Sequence, residues 1–483
     1  MSASFGIVHV LYYIAGIRFD DSPLGQAYQY LDPELLANKM LESILYLHSQ
    51  PPGFNIFLGL VLKAFGGNAA IAFNGLYLLF GWGLYIAMFL MMTRLGVSRL
   101  LAVLVSTLFM ASPSFVLYEN WLFYTFPLAL ILLLSALVLQ KLLAGGGAWS
   151  AWAFFGLLFL LGAIWSVFHV AYYLVVAVAT TAACPRRRKI VGLAAALPVV
   201  LILALYCKNY FLFGTFTTSS WFGMNLSRVT TMNVPLPERV ELVDSGKLSN
   251  LALIPPFTRL SQYPADYLAA TDSYTAEAVV QTNKSSGRAN FNHAAFIRIS
   301  DQYLRDALHS LEYQPWAFVK GIARGWVHYF QSSSNYSPLG SNRKRAEFLI
   351  SIYDYLLYGL LPSQPLPVAS TTHIYLFLLL GLPALVAYAL LSALRVNSKA
   401  PMLTRRQSLV VLYIATSIIY LAIVGNLFES GENNRFRFVT DPLSAVLTGL
   451  VLQHCVFRFG LWRRRLHDRL PFMRAVATGF RQG

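Results

Sequence analysis

PPGFNIFLGLVLKAFGG, residues 51–67, decides how this chain is threaded through a membrane. The stretch is apolar but shorter than the roughly 20 residues that cross about 30 Å of hydrocarbon. Its Pro-Pro start suits the first turn of a helix, its Gly-Gly end suits a helix stop, and Lys63 would be costly in mid-bilayer. We therefore expect residues 51–65 to form a helix that lies along the membrane interface without spanning it.

The rest of the chain has the composition of an integral helical membrane protein. Of its 483 residues, 57% are hydrophobic and 12% are charged. The net charge of +16 does not indicate nucleic acid as a partner, because the basic residues cluster between apolar runs. The three cysteines show neither metal-ligand nor disulfide spacing. About ten transmembrane helices are predicted, over residues 5–17, 69–92, 99–117, 121–143, 149–165, 168–183, 190–207, 372–394, 408–428 and 437–457.

Basic residues in alternate connections predict the orientation of these spans. They occur at Arg94 and Arg99, Lys141, 186–189, 395–406 and 463–465. Short cytoplasmic connections are enriched in Lys and Arg, and the alternation holds only if residues 51–65 do not span. The apolar stretch 149–183 is too long for one span, so we expect a break near 165–168.

This topology divides the chain into four parts, all built from helices. A polar segment with amphipathic helical patterns follows the seventh predicted span and is expected to form a small helical cap on the outer side. The parts are an N-terminal transmembrane module, 1–207, with a first outer loop over 18–68; an extracytoplasmic, mainly helical segment, 208–371; C-terminal transmembrane helices, 372–460; and a basic cytoplasmic tail, 461–483.

Carboxylates gather on the predicted outer side. Asp20 and Asp21 directly follow the first apolar run, where a partly desolvated carboxylate at a fixed depth suits a general base. Neighbouring carboxylates repel each other, so one base is expected, and Asp20 is nearer the membrane. A solvated pair in a loop is the alternative interpretation. Glu119 in "YENW" adds a third carboxylate to this side.

Cations on the same side are candidates for binding a phosphate. In "ENNRFRF", residues 432–438, Arg435 and Arg437 could donate paired hydrogen bonds to a phosphate at headgroup depth. Arginines that reach out to lipid phosphates are the alternative, but lipid anchoring does not require the adjacent Glu432. Lys208 is open to both interpretations.

Together these motifs resemble the polytopic GT-C glycosyltransferases, and among them glycosyltransferase family 39, the protein mannosyltransferase and lipid A aminoarabinose transferase type. The resemblance rests on the acidic pair, on "HSQPPGFNIFLG", on the carboxylate of the next outer loop and on "ENNRFRF-x₃-DP". It covers about the first 140 residues and about the last hundred. It implies a GT-C-like bundle in a bacterial inner or plasma membrane, with an extracytoplasmic active site.

The resemblance implies an inverting transfer of a sugar from a polyprenyl-phosphate donor to an acceptor hydroxyl. Asp20, beside Asp21, would be the base, and the arginines would lie near the leaving phosphate. The acceptor is a lipid, a glycan or a protein, and the other partners are membrane lipids. No cofactor is required, and a divalent cation is left open. The candidate residues are Asp20, Asp21 and Glu119 as catalytic groups, and His48, Gln50, Lys208, Glu432, Arg435 and Arg437 as donor- or substrate-binding groups.

Two other functions use similar features. A transporter or flippase of lipid-linked sugars would need the same lipid-phosphate pocket without a base, and it should show repeat symmetry and ionisable groups in mid-membrane. An O-antigen polymerase or ligase would rely on basic residues of the large outer loop and would not need Asp20. The transferase interpretation requires the acidic pair and the two arginines to share one crevice.

Overall fold

The computed structural model describes residues 1–269, 274–366, 369–395 and 402–469. Within them the regular secondary structure consists of helices and one β-hairpin. The N-terminal helices are α1 Ser2–Ile14, α2 Pro23–Gln26, α3 Pro33–Asn38, α4 Met40–Leu45, α5 Gly53–Phe65, α6 Ala69–Arg94, α7 Arg99–Met110, α8 Pro113–Glu119, α9 Thr125–Leu143, α10 Ala148–Ile164, α11 Val170–Ala183 and α12 Arg188–Phe213. The middle part contains α13 Phe222–Val229, α14 Leu236–Asp244, α15 Asp266–Ala269, α16 Glu277–Val280, α17 Ala295–Tyr313, α18 Pro315–Tyr329, α19 Gly340–Arg345, α20 Glu347–Leu356, and the antiparallel strands β1 Leu360–Leu366 and β2 Ala369–Tyr375. The C-terminal helices are α21 Leu376–Leu394, α22 Arg405–Phe428, α23 Asn433–Phe438 and α24 Asp441–Arg469.

Several of these helices are long and apolar enough to cross a membrane, which makes the chain an integral multi-pass membrane protein. Within the described residues there are 6 such helical stretches, or 7 if α7 and α8, which are bent by 61° at their break, form one span. The six are Gly53–Arg94, Thr125–Leu143, Pro185–Phe213, Leu376–Leu394, Arg405–Phe428 and Asp441–Phe459. Helices α1, α10 and α11 are apolar but shorter. Each predicted run thus overlaps an apolar helix, although fewer than ten meet the length test.

Helix α5 folds back beside α6, so Gly53–Arg94 is a hairpin of two helices. The ring of Phe57 lies 5.9 Å from the ring of Phe73 and 6.2 Å from that of Phe80, both on α6. Gly66 begins the turn with a φ of 52°, a conformation that glycine adopts at little cost. Helix α5 also packs on α3 and α4. That α5 lies along the membrane interface remains a prediction.

Helix boundaries depart from the predicted runs where other contacts intervene. Helix α9 begins at Thr125, not at 121, because Trp121 pairs with Asp20 in an isolated β-bridge. The hairpin of β1 and β2 interrupts the segment predicted to be mainly helical. The break predicted near 165–168 lies between α10 and α11. Residues 396–401 of a basic connection and 470–483 of the basic tail lie outside the described residues.

Separate hydrophobic cores stabilise the bundle and the middle segment. The end of the bundle that the charge pattern predicts to face outwards is called the outer end. One core runs through α6, α9, α10, α22 and α24. Another joins Trp221, directly before α13, and Met224 on α13 to Phe296 and Tyr303 on α17, each of them buried. Burying one such side chain stabilises the fold by about 2 kcal/mol. The middle segment is therefore a packed unit that lies over the outer end of the bundle.

Candidate functional site

A cavity of about 820 Å³ lies between this middle segment and the outer ends of the helices. Its walls come from α11, α12 and α22, from residues 217–228, from the hinge between α22 and α23, and from two loops at residues 28–29 and 256–257. Aromatic and aliphatic side chains form much of the lining, and a few charged groups lie at the hinge. Such a composition is typical of pockets for small amphipathic ligands.

Arg435 is the fixed cation of this cavity. Its side chain is 2% exposed, its Nη1 donates to Thr125 Oγ1 at 3.1 Å, and its Nη2 donates to Glu432 Oε2. Its Nε has no hydrogen-bond partner within the described residues. Five aromatic rings have their centroids 4.9 to 5.9 Å from Arg435 Cζ, those of Phe123, Tyr124, Trp165, Tyr336 and Phe436. The rings hold the guanidinium in place, and the N–H of its buried Nε is left without a partner, as expected of a cation built to hold an anion.

Two carboxylates beside this arginine have different environments. Glu432 accepts hydrogen bonds from Arg435 and, at 2.8 Å, from Tyr336 Oη, and although burial opposes its ionisation, Arg435 and Arg228 lower its pKa. Glu429 Oε1 accepts from Arg228 Nη1 at 2.6 Å and from the Ser430 amide at 2.9 Å, whereas its Oε2 is unpaired among the described residues. Burial raises the pKa of Glu429 to about 7, although Arg228 opposes this. Two carboxylates with pKa values pushed apart can divide the tasks of charge balance and proton transfer.

The cavity brings together three of the residues predicted from the sequence, Gln50, Glu432 and Arg435. Arg437, only two residues further on, does not line it. Its Nη1 donates to the carbonyl oxygens of Tyr329 and Gln331, each at 2.6 Å, while Nη2 contacts Ser333 and Nε contacts Asp441. All three nitrogens donate to groups inside the protein, so the structure does not place Arg437 where a phosphate in this cavity would lie. Its role is to fasten α23 to the end of α18.

His48 and Lys208, predicted to bind donor or substrate, lie outside this cavity and contact other parts of the chain. His48 is 0% exposed, with Nδ1 2.7 Å from Ser220 Oγ and Nε2 2.9 Å from the carbonyl oxygen of Asn292. Since a carbonyl can only accept, Nε2 carries the proton and Nδ1 accepts from Ser220. Burial lowers the pKa of His48 to about 3, so the ring is neutral. Lys208 Nζ donates to the Leu47 carbonyl beside it, which leaves neither side chain facing the cavity.

Glu119 is buried in the bundle and does not line the cavity either. Its side chain is 1% exposed, and Oε2 pairs with His9 Nε2 on α1. Its Oε1 has no hydrogen-bond partner and lies against Gly81, where an added Cβ would be only 1.6 Å away. The ring of Phe5 covers His9, with 3.9 Å between the ring centroids. The predicted catalytic carboxylate is therefore sealed between α1, α6 and α8.

Asp20 and Asp21 lie outside the cavity as well. The Asp20 amide donates to the Asn120 carbonyl at 2.9 Å, and its Oδ1 accepts from the Ser22 amide at 3.0 Å, while Asp21 is exposed. Trp121, which pairs with Asp20, stacks on Phe123 at 4.3 Å between centroids, and Phe123 in turn faces Arg435. Trp121 and Phe123 thus lie between the backbone of Asp20 and Arg435, and the cavity lined by Arg435 does not include the acidic pair.

Two charged residues of the cavity were not assigned a role from the sequence, Arg228 and Glu429. Both lie in stretches that attract notice, since "SSWFGMNLSR" is amphipathic and "ESGENNRFRF" is polar at the membrane edge. Their pairing joins segments about 200 residues apart, which periodicity cannot reveal. Among the described residues, no group of three or more His, Cys, Asp or Glu could hold a metal ion.

Comparisons with protein-family models, with curated proteins and with solved structures found no match. A fixed guanidinium with an unpaired N–H can hold an anion, a carboxylate with a pKa of about 7 can accept a proton, and the apolar walls can hold a hydrocarbon chain.

Proposed function

We propose that this protein is a membrane glycosyltransferase that moves a sugar from a polyprenyl phosphate to an acceptor hydroxyl. The observation that carries the proposal is that Arg435, a buried guanidinium whose Nε has no partner, lines an aromatic-walled cavity together with Glu429, whose Oε2 is free among the described residues. The GT-C-like architecture, the crossing of the membrane by about ten helices and an extracytoplasmic site belong to the same proposal.

The donor is amphipathic, and the cavity matches both of its parts. Val424 and Phe428 on α22 and Ala171 on α11 line the side towards the apolar helices, where a polyprenyl chain would lie. The phosphate would accept from Arg435 Nε. As the bond to the sugar breaks, negative charge grows on the phosphate, and a guanidinium already held by Glu432 and five rings stabilises it without reorganising.

The base is assigned to Glu429 in place of Asp20, because Glu429 lines the cavity and Asp20 does not. The acceptor oxygen forms a bond to the anomeric carbon from the face opposite the phosphate, and its proton passes to Glu429 Oε2. The bond between the anomeric carbon and the phosphate oxygen breaks, and polyprenyl phosphate leaves with the electron pair. The configuration at the sugar is inverted.

The test uses the full chain in lipid nanodiscs with a panel of polyprenyl-phosphate sugars labelled in the sugar. Release of polyprenyl phosphate is measured by mass spectrometry for the wild type, Glu429→Gln and Asp20→Asn. Glu277→Gln is the matched control, since Glu277 is a half-exposed carboxylate outside the cavity, paired with Lys39. We expect the wild type and the control to consume a donor, and Glu429→Gln to be at least 100-fold slower.

Three results would contradict parts of this proposal. If no donor is consumed, the transferase assignment fails. If Asp20→Asn is inactive and Glu429→Gln is active, the base is Asp20, as the sequence alone suggested. If the donor crosses the bilayer of a proteoliposome with its sugar–phosphate bond intact, the protein is a transporter of lipid-linked sugars.

A further inference from the structure

The part of the cavity lined by the loops at residues 28–29 and 256–257 has a chemistry that the transfer step does not use. Tyr28 and Phe257 line it, with their rings near parallel at 14° and 6.4 Å between centroids. Tyr28 is 47% exposed, and Phe257 is half-buried. Behind them, Phe291 lies 4.3 Å from Tyr28, and Trp221 packs edge-on against Phe257 at 5.2 Å. The two rings form a supported aromatic surface at the cavity wall.

Three amide side chains line the same cavity without using their hydrogen-bonding capacity. These are Gln29, Gln50 and Asn225, and none of their side-chain amides has a partner among the described residues. Each amide offers two donors and one acceptor oxygen. Free amides beside aromatic rings match a sugar, whose ring faces carry C–H groups and whose rim carries hydroxyls. A hydrocarbon chain would leave the amides unsatisfied, which is costly.

The backbone around this surface is held in place. Asn55 accepts from the Leu31 amide at 2.8 Å and donates to the Gln29 carbonyl at 3.2 Å, and Lys284 Nζ donates to the Ala27 carbonyl at 2.7 Å. Phe257 has a backbone φ of 60°, a conformation that residues other than glycine rarely adopt. Strained backbone of this kind persists only where the surrounding structure enforces it, and it is concentrated at ligand sites.

We infer that Tyr28, Phe257, Gln29, Gln50 and Asn225 form a saccharide-binding subsite, and that the acceptor is therefore a glycan. The assignment of this saccharide as the acceptor rests on the proposed transferase function. The binding of a saccharide at these residues does not depend on that function. A glycan stacked on Tyr28 and Phe257 would present a hydroxyl towards Glu429 in the same cavity.

The probe is a panel of soluble mono-, di- and trisaccharides of hexoses, N-acetylhexosamines and pentoses. Binding to the full chain in nanodiscs is measured by saturation-transfer NMR without any donor. The variants are Phe257→Gly and Gln29→Ala, with Tyr313→Ala as the control because Tyr313 is a similarly exposed tyrosine, at 41%, outside the cavity. Glycine adopts a positive φ freely, so Phe257→Gly removes the ring and keeps the backbone.

We expect at least one saccharide to bind saturably, with affinity reduced tenfold or more in Phe257→Gly and Gln29→Ala and unchanged in Tyr313→Ala. The inference is overturned if no saccharide binds to the wild type, or if both variants bind like the control while melting at the wild-type temperature. Should Gln29→Ala unfold, Phe257→Gly alone decides. A wild type that binds saccharide but consumes no donor would refute the transferase and keep the subsite, so the two failures are distinguishable.

Discussion

The His9–Glu119 pair and the Arg435–Glu432 pair are both buried contacts between a carboxylate and a basic side chain, yet only the second borders a cavity. Around Glu119, Gly81 allows the backbone of α6 to approach so closely that the carboxylate fills all the space. Around Arg435, aromatic rings surround the guanidinium but leave Nε unpaired. A buried charged pair by itself is weak evidence of a site. A charged side chain that lines a cavity and has an unpaired donor is stronger evidence.

Gly81→Ala should disrupt the buried His9–Glu119 pair and should have the largest effect on stability of the changes considered. The new Cβ would lie 1.6 Å from Glu119 Oε1 and 2.7 Å from its Cδ, so the buried carboxylate would have to move and its pairing with His9 would be lost. We expect destabilisation by about 3 kcal/mol or more. The matched control is Gly75→Ala on the same helix, where an added Cβ would meet nothing within 4 Å. Thermal unfolding in detergent measures both, and equal melting temperatures would show that the pair is not tightly enclosed.

Arg435→Lys and Arg437→Lys should have different effects, because Arg435 lines the cavity and Arg437 is bound inside the protein. Lysine at 435 keeps a charge but loses the planar fork, so we expect donor consumption to fall by about 10²–10³-fold. Lysine at 437 cannot satisfy two carbonyls, Ser333 and Asp441 together, so we expect a loss of about 2–4 kcal/mol in stability. Kinetics and melting temperatures are measured for both. The comparison fails if the two variants behave alike.

The pH dependence of turnover should identify Glu429. Only the ionised carboxylate accepts a proton, so with a pKa of about 7 the rate should fall about tenfold for each pH unit below 7 and level off above it. Stability should follow the opposite trend. Because the folded pKa lies above the ordinary 4.5, the contribution of Glu429 to stability is complete below 4.5 and is lost as the pH rises through 7.

In Glu429→Gln, the residual turnover rate should no longer fall as the pH drops below 7. In the control Glu277→Gln, the turnover rate should show the same pH dependence as in the wild type. A pH–rate profile of each variant in nanodiscs is the measurement. An unchanged profile in Glu429→Gln would assign the titration to another group.

His48 should make the stability of the protein sensitive to acid. Near neutral pH this effect is the smallest of those predicted. Its folded pKa of about 3 is below the ordinary 6.5, so the unfolded chain binds the proton first and stability is lost as the pH falls from 6.5 towards 3. The expected slope is about 1.4 kcal/mol per pH unit. His48→Gln, which keeps a donor and an acceptor, should flatten it. Unfolding measured at pH 7, 6 and 5 in both proteins would show the difference, and equal slopes would contradict it.

The hydropathy of the sequence predicted the helices well because apolar runs are a local property. The run 408–428 corresponds to Arg405–Phe428, and the break predicted near 165–168 falls between α10 and α11. The sequence also indicated the polar segment that joins α22 to α24, where Glu432 and Arg435 line the cavity. The β-hairpin before α21 carried no clear signal, since its first strand contains two prolines and neither strand shows a regular alternation of apolar and polar residues.

What the sequence alone determined is a multi-pass helical membrane protein with charged residues collected near the ends of apolar runs, because hydrophobicity and charge are readable residue by residue. Only the tertiary structure decided which of those charges share a cavity. Arg435 and Arg437 are two residues apart, so on a helix their side chains point in directions that differ by roughly 200°. Arg435 therefore lines the cavity, whereas Arg437 faces the carbonyls at the end of α18. His48 is buried by Asn292, which no local pattern near residue 48 foretells. The identity of a site residue depends on what packs against it from distant parts of the chain.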